Sequence, residues 1–137
     1  MDKGLFLKKY LIGLPDDKTQ DAKLITNKVS WRTISWKALD WLAMLHTLGD
    51  VKYYPGNWQL GKPLDSIKIY TDAMIRHAKE HMKGELIDAD TGIPHVVQVM
   101  WNAEVVTHML IEAGLLEELS PELAYAMIER IKQKYGK

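Results

Sequence analysis

The stretch Pro94–Ala113, PHVVQVMWNAEVVTHMLIEA, decides the fold. Proline suits a first helical turn, and Ala113-Gly114 supplies a stop. Between them, apolar residues such as Val97, Met100, Trp101, Val105, Met109 and Ile111 fall on nearly every side. A helix apolar all round belongs at the centre of its domain. Its exceptions are informative. His95, Gln98 and Asn102 follow spacings of 3 and 4, so they form one polar line on a buried rod. An amide buried without partners costs about 1–3 kcal/mol, so these groups either satisfy one another or border a wet pocket.

Just before that rod lies Gly84–His95, GELIDADTGIPH. Glu85, Asp88, Asp90 and His95 crowd into this glycine-bounded turn. Such a concentration of metal- and proton-binding groups points to a hard cation or a phosphate-bearing ligand. Upstream, a second helix is expected from about Asp65 to Met82, because Ile67, Tyr70, Met74, His77 and His81 repeat at spacings of 3, 4, 3 and 4. Both histidines then extend the apolar stripe. If the two rods pack antiparallel, His77, Glu80 and His81 meet the polar line at the end closed by the acidic turn.

Further out, Trp36, Leu39, Leu42 (or Ala43) and His46 predict a helix over about Ser35–Gly49. Asp50–Leu64 reads as loop, with Pro55-Gly56 and Gly61-Lys62-Pro63 as turn signals. Ser120 as N-cap and Pro121 at the first position open a last helix, with Leu123, Met127 and Ile131 on its buried side. The segment up to Gly13 reads as a short helix, and Leu14–Ser30 as a polar surface excursion. The fold class is therefore all-α, a compact bundle of about four to five helices. Residues 1–34 form an N-terminal helix and surface segment, and 35–137 the helical body of a single domain. Five helices barely cover a rod apolar on every side, so a homo-oligomer is expected.

The 137 residues carry 18 basic and 18 acidic side chains, so the formal net charge is zero. That balance argues against polymeric nucleic acid as partner, whose electrostatic footprint is a basic excess. There is no cysteine, which excludes disulfides and thiolate metal sites and suits a reducing cytoplasm. The opening MDKGLFLKKYLIGLPDDK breaks its apolar run with lysines, unlike a signal sequence. No run approaches the roughly 20 apolar residues of a membrane span.

Individually these residues keep plainer readings. His77 and His81 at i, i+4 suit a transition metal, or a hydrogen-bonded core pair. Asp88 and Asp90 suit Mg²⁺, or caps on backbone amides. Trp58 beside Asn57 suits a stacked base, or a loop anchor. Lys52 and Arg76 suit phosphate oxygens, or bulk solvent.

In order along the chain stand Gly49-Asp50-Val51-Lys52-Tyr53, Asn57-Trp58 with Gly61, Arg76-His77, Gly84-Glu85 with Asp88, Asp90-Thr91-Gly92 with His95, and Asn102. This ordered set, spanning roughly residues 35–114, resembles the phage-type dATP/dGTP diphosphohydrolase N-terminal domain family. The resemblance implies a purine deoxynucleotide as partner, cleaved to its monophosphate and pyrophosphate in the cytoplasm of an infected bacterium. It also implies an all-helical, Mg²⁺-assisted site similar in function to the MazG-like pyrophosphohydrolases. Those enzymes place E-E-x-x-E on one helix and E-x-x-D on the next. Here only Glu85 and Asp88 supply E-x-x-D, and the preceding helix offers Glu80 between two histidines. Under this resemblance Glu85 and Asp88 hold the Mg²⁺, and Lys52 and Arg76 neutralise phosphate oxygens. His77 or His95 orients or deprotonates the water, with Asp88 also catalytic, and Asn57, Trp58 and Asn102 contact the base or sugar. The runner-up is a non-catalytic protein that binds a nucleotide or nucleotide signal, a sponge against host defence.

Overall fold

The computed structural model describes residues 29–59 and 64–136. The expected helix before Gly13, most of the 14–30 excursion and the Gly61-Lys62-Pro63 turn signal lie outside the described residues. Among the described residues stand four α-helices: α1 (Trp36–Lys52), α2 (Ser66–Met82), α3 (His95–Glu112) and α4 (Pro121–Tyr135), with a short 3-10 helix at Asn57–Gln59. The described residues contain an isolated antiparallel bridge, Ile87 with Pro94, but no strand. The all-α expectation holds.

Local chemistry sets the helix ends. Ser35 Oγ accepts the Ala38 N–H at 3.2 Å and opens α1. The expected stop at Gly49 comes three residues later. Gly49 is absent from the glycines with positive φ, and α1 continues until the Tyr53 N–H closes on the Gly49 carbonyl. A glycine ends a helix only where the chain exploits its left-handed freedom. Gly84 does so, at φ 90°. Its N–H donates to the His81 carbonyl and that of Glu85 to the Glu80 carbonyl, the paired 5→2 and 6→1 bonds of a Schellman stop. Ser120 Oγ accepts the Leu123 N–H at 3.0 Å and opens α4 with Pro121 in its first turn.

The described residues divide into two compact units, one of Ser35–Glu117 and one holding 29–34 with 118–136. In the first unit α3 is the spine. His95, Gln98, Asn102, Val105 and Met109 form its buried line at spacings of 3, 4, 3 and 4, polar in its first half and apolar in its second. Val105 is fully enclosed. Tyr70 meets Trp101 with ring centroids 5.9 Å apart, and His77 meets His95. Earlier residues of α2 thus face later residues of α3, and the two form an antiparallel hairpin. α1 lies on α3 through a 2.8 Å hydrogen bond between His46 Nε2 and Glu104 Oε1.

Two expected stripes are not covered as their periodicity implied. His81 is exposed, whereas His77 is half-buried. The helix stops one turn later, and His81 sits where α3 no longer faces it. On α4, Ala124 is buried and Leu123 half-buried, but Met127 and Ile131 are exposed. Spacing says what a helix is able to bury, not what will lie against it.

Candidate functional site

The hairpin turn is built before it is chemical. The Asp88 N–H donates to the Ile93 carbonyl at 3.0 Å, and the His95 N–H to the Leu86 carbonyl at 2.8 Å. These bonds pinch residues 86–95 into a narrow loop. Inside it the Gly92 N–H reaches the Asp88 carbonyl at 2.8 Å, with Gly92 at φ 75°. A side chain there would be strained, which explains the glycine. Thr91 Oγ1 accepts the Ile93 N–H at 3.1 Å.

The Asp88 carboxylate is held at both oxygens. Oδ1 accepts the Asp90 N–H at 3.0 Å, the local bond expected of a turn aspartate, and Oδ2 accepts Gln98 Nε2 at 2.8 Å. The same Gln98 amide lies 3.3 Å from Thr91 Oγ1. Asn102 Nδ2 donates to the main-chain carbonyl of Gln98 at 2.7 Å, one turn back on the same helix. The polar line on α3 is thus satisfied by α2, by the turn and by its own helix backbone, and no buried side-chain nitrogen or oxygen among the described residues lacks a partner. The Gln98 bond holds the Asp88 carboxyl below its ordinary value; the Asp90 N–H acts the same way and burial opposes them.

Beside Asp88, the Nδ1 atoms of His77 and His95 lie 2.8 Å apart. One ring donates and the other accepts, so at most one proton occupies the contact. His95 is only 8% exposed. Burial lowers the His77 pKa, and the neighbouring His95 and Arg76 charges act in the same direction, against Asp88 and Glu80. One donor atom from each of His77, Asp88 and His95 lies within 4.8 Å of the others. Glu85 is exposed and outside this group, its N–H used by the helix stop.

A cleft of about 600 Å³ opens alongside. His77, Thr91 and Gln98 contribute to its lining together with Tyr70, Trp101 and Asn102 from the hairpin. His46, Asp50, Lys52 and Tyr53 line it from α1 and its end, and Trp58 from the 3-10 helix. Trp58 is wedged between His46, at 5.1 Å, and His108, at 5.2 Å. Asp50 Oδ1 accepts the Gly56 N–H and ties down the loop that carries Trp58. The volume is that of a small-molecule site. Aromatic faces and polar groups thus share one cavity, whose charged lining residues are Asp50 and Lys52 beside the histidines.

A family model described as dATP/dGTP diphosphohydrolase, N-terminal, matches residues 18–118. The chain belongs to that family. Comparison with curated proteins and with solved structures gave no match.

Among the residues expected to serve a diphosphohydrolase, the structure brings Lys52, Trp58, His77 and Asn102 to one cleft, and Asp88 and His95 to the His77 ring. Arg76 is exposed on α2 next to His77, and Asn57 opens the 3-10 helix. Gln98 and Thr91 escaped the sequence reading as site residues, although the buried polar line already singled out Gln98. His46 and Glu104 had a fainter signal, a carboxylate in the middle of a mostly apolar rod and off its polar line.

The Mg²⁺ expected at Glu85 and Asp88 meets an unsuitable donor set. Mg²⁺ wants a near-octahedral shell of oxygens. The side chains that converge bring two imidazoles and one carboxylate. They do not fit Mg²⁺.

Acid should loosen this site. His77 ordinarily titrates near 6.5 and is lowered by folding, so the unfolded chain takes up that proton first as pH falls. Its contribution is complete above pH 6.5 and declines below it. Asp88, lowered from 3.8, adds a second loss with the same sign at still lower pH. Chelator-treated protein should therefore melt at a lower temperature at pH 5.5 than at pH 7.5, and His77→Gln should narrow the gap. Equal melting temperatures for the wild type would contradict the assignment.

Proposed function

We propose that the chain hydrolyses deoxypurine nucleoside triphosphates, dATP and dGTP, to the monophosphate and pyrophosphate. A water oxygen forms a bond to the α-phosphorus, the α–β bridging P–O bond breaks, and pyrophosphate leaves with the electron pair. The water's proton passes to a base. The observation that carries the reading is the single cleft that reaches from the Trp58 and Trp101 rings to His77, Thr91 and Gln98. A purine stacks on the aromatic side, with Asn57 and Asn102 at the base or sugar. Lys52, exposed at the end of α1, and Arg76 neutralise phosphate oxygens. His77, kept neutral by burial, accepts the proton from the attacking water; His95 fixes its ring through the Nδ1 contact, and the Asp88 charge favours the protonated form that results. Mg²⁺ enters as the counter-ion of the triphosphate. The setting is the cytoplasm of a phage-infected bacterium. None of the described helices is long and apolar enough to cross a membrane. Exposed Trp36, Trp41 and Met44 on α1 favour a homo-oligomer.

The test is pyrophosphate release from a panel of deoxynucleoside triphosphates. Both purines should be cleaved faster than either pyrimidine. Trp58→Ala should raise KM for dGTP roughly 10-fold or more, since stacking is worth about 1–3 kcal/mol per base, and change kcat little. No release from any nucleotide would sink the reading.

One observation favours a second reading. Asp88 is the only carboxylate in the converging group. A nucleotide-binding protein without turnover would need no more. Calorimetric binding of dGTP followed by chromatographic recovery of the intact triphosphate would select it.

A further inference from the structure

The geometry points to a transition-metal site: His77, Asp88 and His95 bind one divalent ion of the Mn²⁺–Zn²⁺ series in preference to Mg²⁺. Three observations converge. The first is spacing. The two Nδ1 atoms are 2.8 Å apart, against about 3 Å for neighbouring nitrogens around an ion bonded at about 2.1 Å. The hydrogen bond between the rings and coordination of both by one ion are therefore alternatives that need little movement.

The second is the support behind the donors. Asp88 is gripped by Gln98 Nε2 and the Asp90 N–H, so its carboxylate is oriented before any ion arrives. Each oxygen retains lone-pair capacity after one bond. His95 is anchored by its own backbone bond to Leu86 and by burial on α3. Donors fixed in this way lose little freedom on coordination, and such supporting bonds are typical of metal sites.

The third is donor identity. Two imidazoles and one carboxylate favour first-row transition ions over Mg²⁺, increasingly from Mn²⁺ toward Zn²⁺, while a site for Mg²⁺ would be built from oxygens. Three protein ligands leave coordination positions open, and His77 also lines the cleft, so the cluster borders it. Neither His81, exposed one turn further along α2, nor Glu85, exposed at the helix stop, belongs to the set.

Metal binding stands without the proposed reaction. Only its consequence rests on that reading: water activation would pass from a free His77 ring to the ion that both rings hold.

The experiment is a Co²⁺ titration of tag-free, chelator-treated protein without nucleotide, followed by visible absorption. One Co²⁺ per chain is expected, displaced by equimolar Zn²⁺ and retained in a roughly thousand-fold excess of Mg²⁺. His77→Ala should weaken binding by about 100-fold or more, and Asp88→Asn by about 10-fold or more, whereas Glu85→Gln should stay within about twofold. Circular dichroism melts identify which variants remain folded. His77 is half-buried, so its variant keeps the test available where His95→Ala does not fold. Weak multiple binding, displacement of Co²⁺ by Mg²⁺, or affinity lost in Glu85→Gln but kept in His77→Ala would overturn the inference. Tight Co²⁺ binding without pyrophosphate release under any metal would spare this inference and sink the hydrolase reading. Release that persists after Co²⁺ binding has failed would do the reverse.

Discussion

Asp88→Asn is expected to lower pyrophosphate release from dGTP by roughly 100-fold or more while the protein stays folded. The substitution keeps the shape of the side chain and removes its charge. One oxygen becomes an amide NH₂, which would face either the Asp90 N–H or Gln98 Nε2. A donor then meets a donor. Rotation of the Gln98 amide relieves that clash only by giving up its bond toward Thr91 Oγ1. The expected cost in stability is about 1–3 kcal/mol, the range for leaving a buried donor unsatisfied. The larger loss is chemical, because no other carboxylate stands in the converging group to replace Asp88. Steady-state kinetics with a thermal melt on the same sample separates the two effects. Wild-type turnover in a folded Asp88→Asn protein would remove Asp88 from the reaction.

Val105→Asp is expected to abolish cooperative folding of the Ser35–Glu117 unit. Val105 has no exposed surface and lies where the buried line of α3 turns from polar to apolar. A carboxylate there loses its hydration, and the next buried residue along the line is Met109. Burying an unpaired charge costs several kcal/mol, a large part of a small domain's stability of about 5–15 kcal/mol. Val105→Ala is the graded control. It removes two methyl groups and should cost about 2 kcal/mol with the fold retained. A sharp, near-wild-type melt for Val105→Asp would show that the centre of α3 is wetter than its burial implies.

The helices were legible because their signals are local. Ser35, Ser120 and Pro121 act on backbone groups within one turn, and the Gly84 stop on the Glu80 and His81 carbonyls of the turn before it. The polar line of His95, Gln98 and Asn102 was legible too, since spacing alone puts these residues on one face. The partners of that face were not. The sequence offered His77 with His81, the pair that periodicity favours on a single helix. The structure instead pairs His77 with His95 and leaves His81 exposed. Glu85 and Asp88 likewise share an E-x-x-D spacing, yet the Schellman stop takes the first and the pinched loop the second. Trp58 was singled out beside Asn57, but its seat between His46 and His108 depends on residues 12 positions before it and 50 after it.

By itself, then, the sequence determined the helices of the described residues, their order, the central rod and the crowding of acidic groups and a histidine into the turn. The tertiary structure decided which imidazoles meet, which carboxylate joins them and which aromatic rings enclose the cleft. The physical reason is range. Capping and periodicity act over three or four residues of backbone, whereas a binding site is an agreement between side chains on separate elements, and packing alone brings those together.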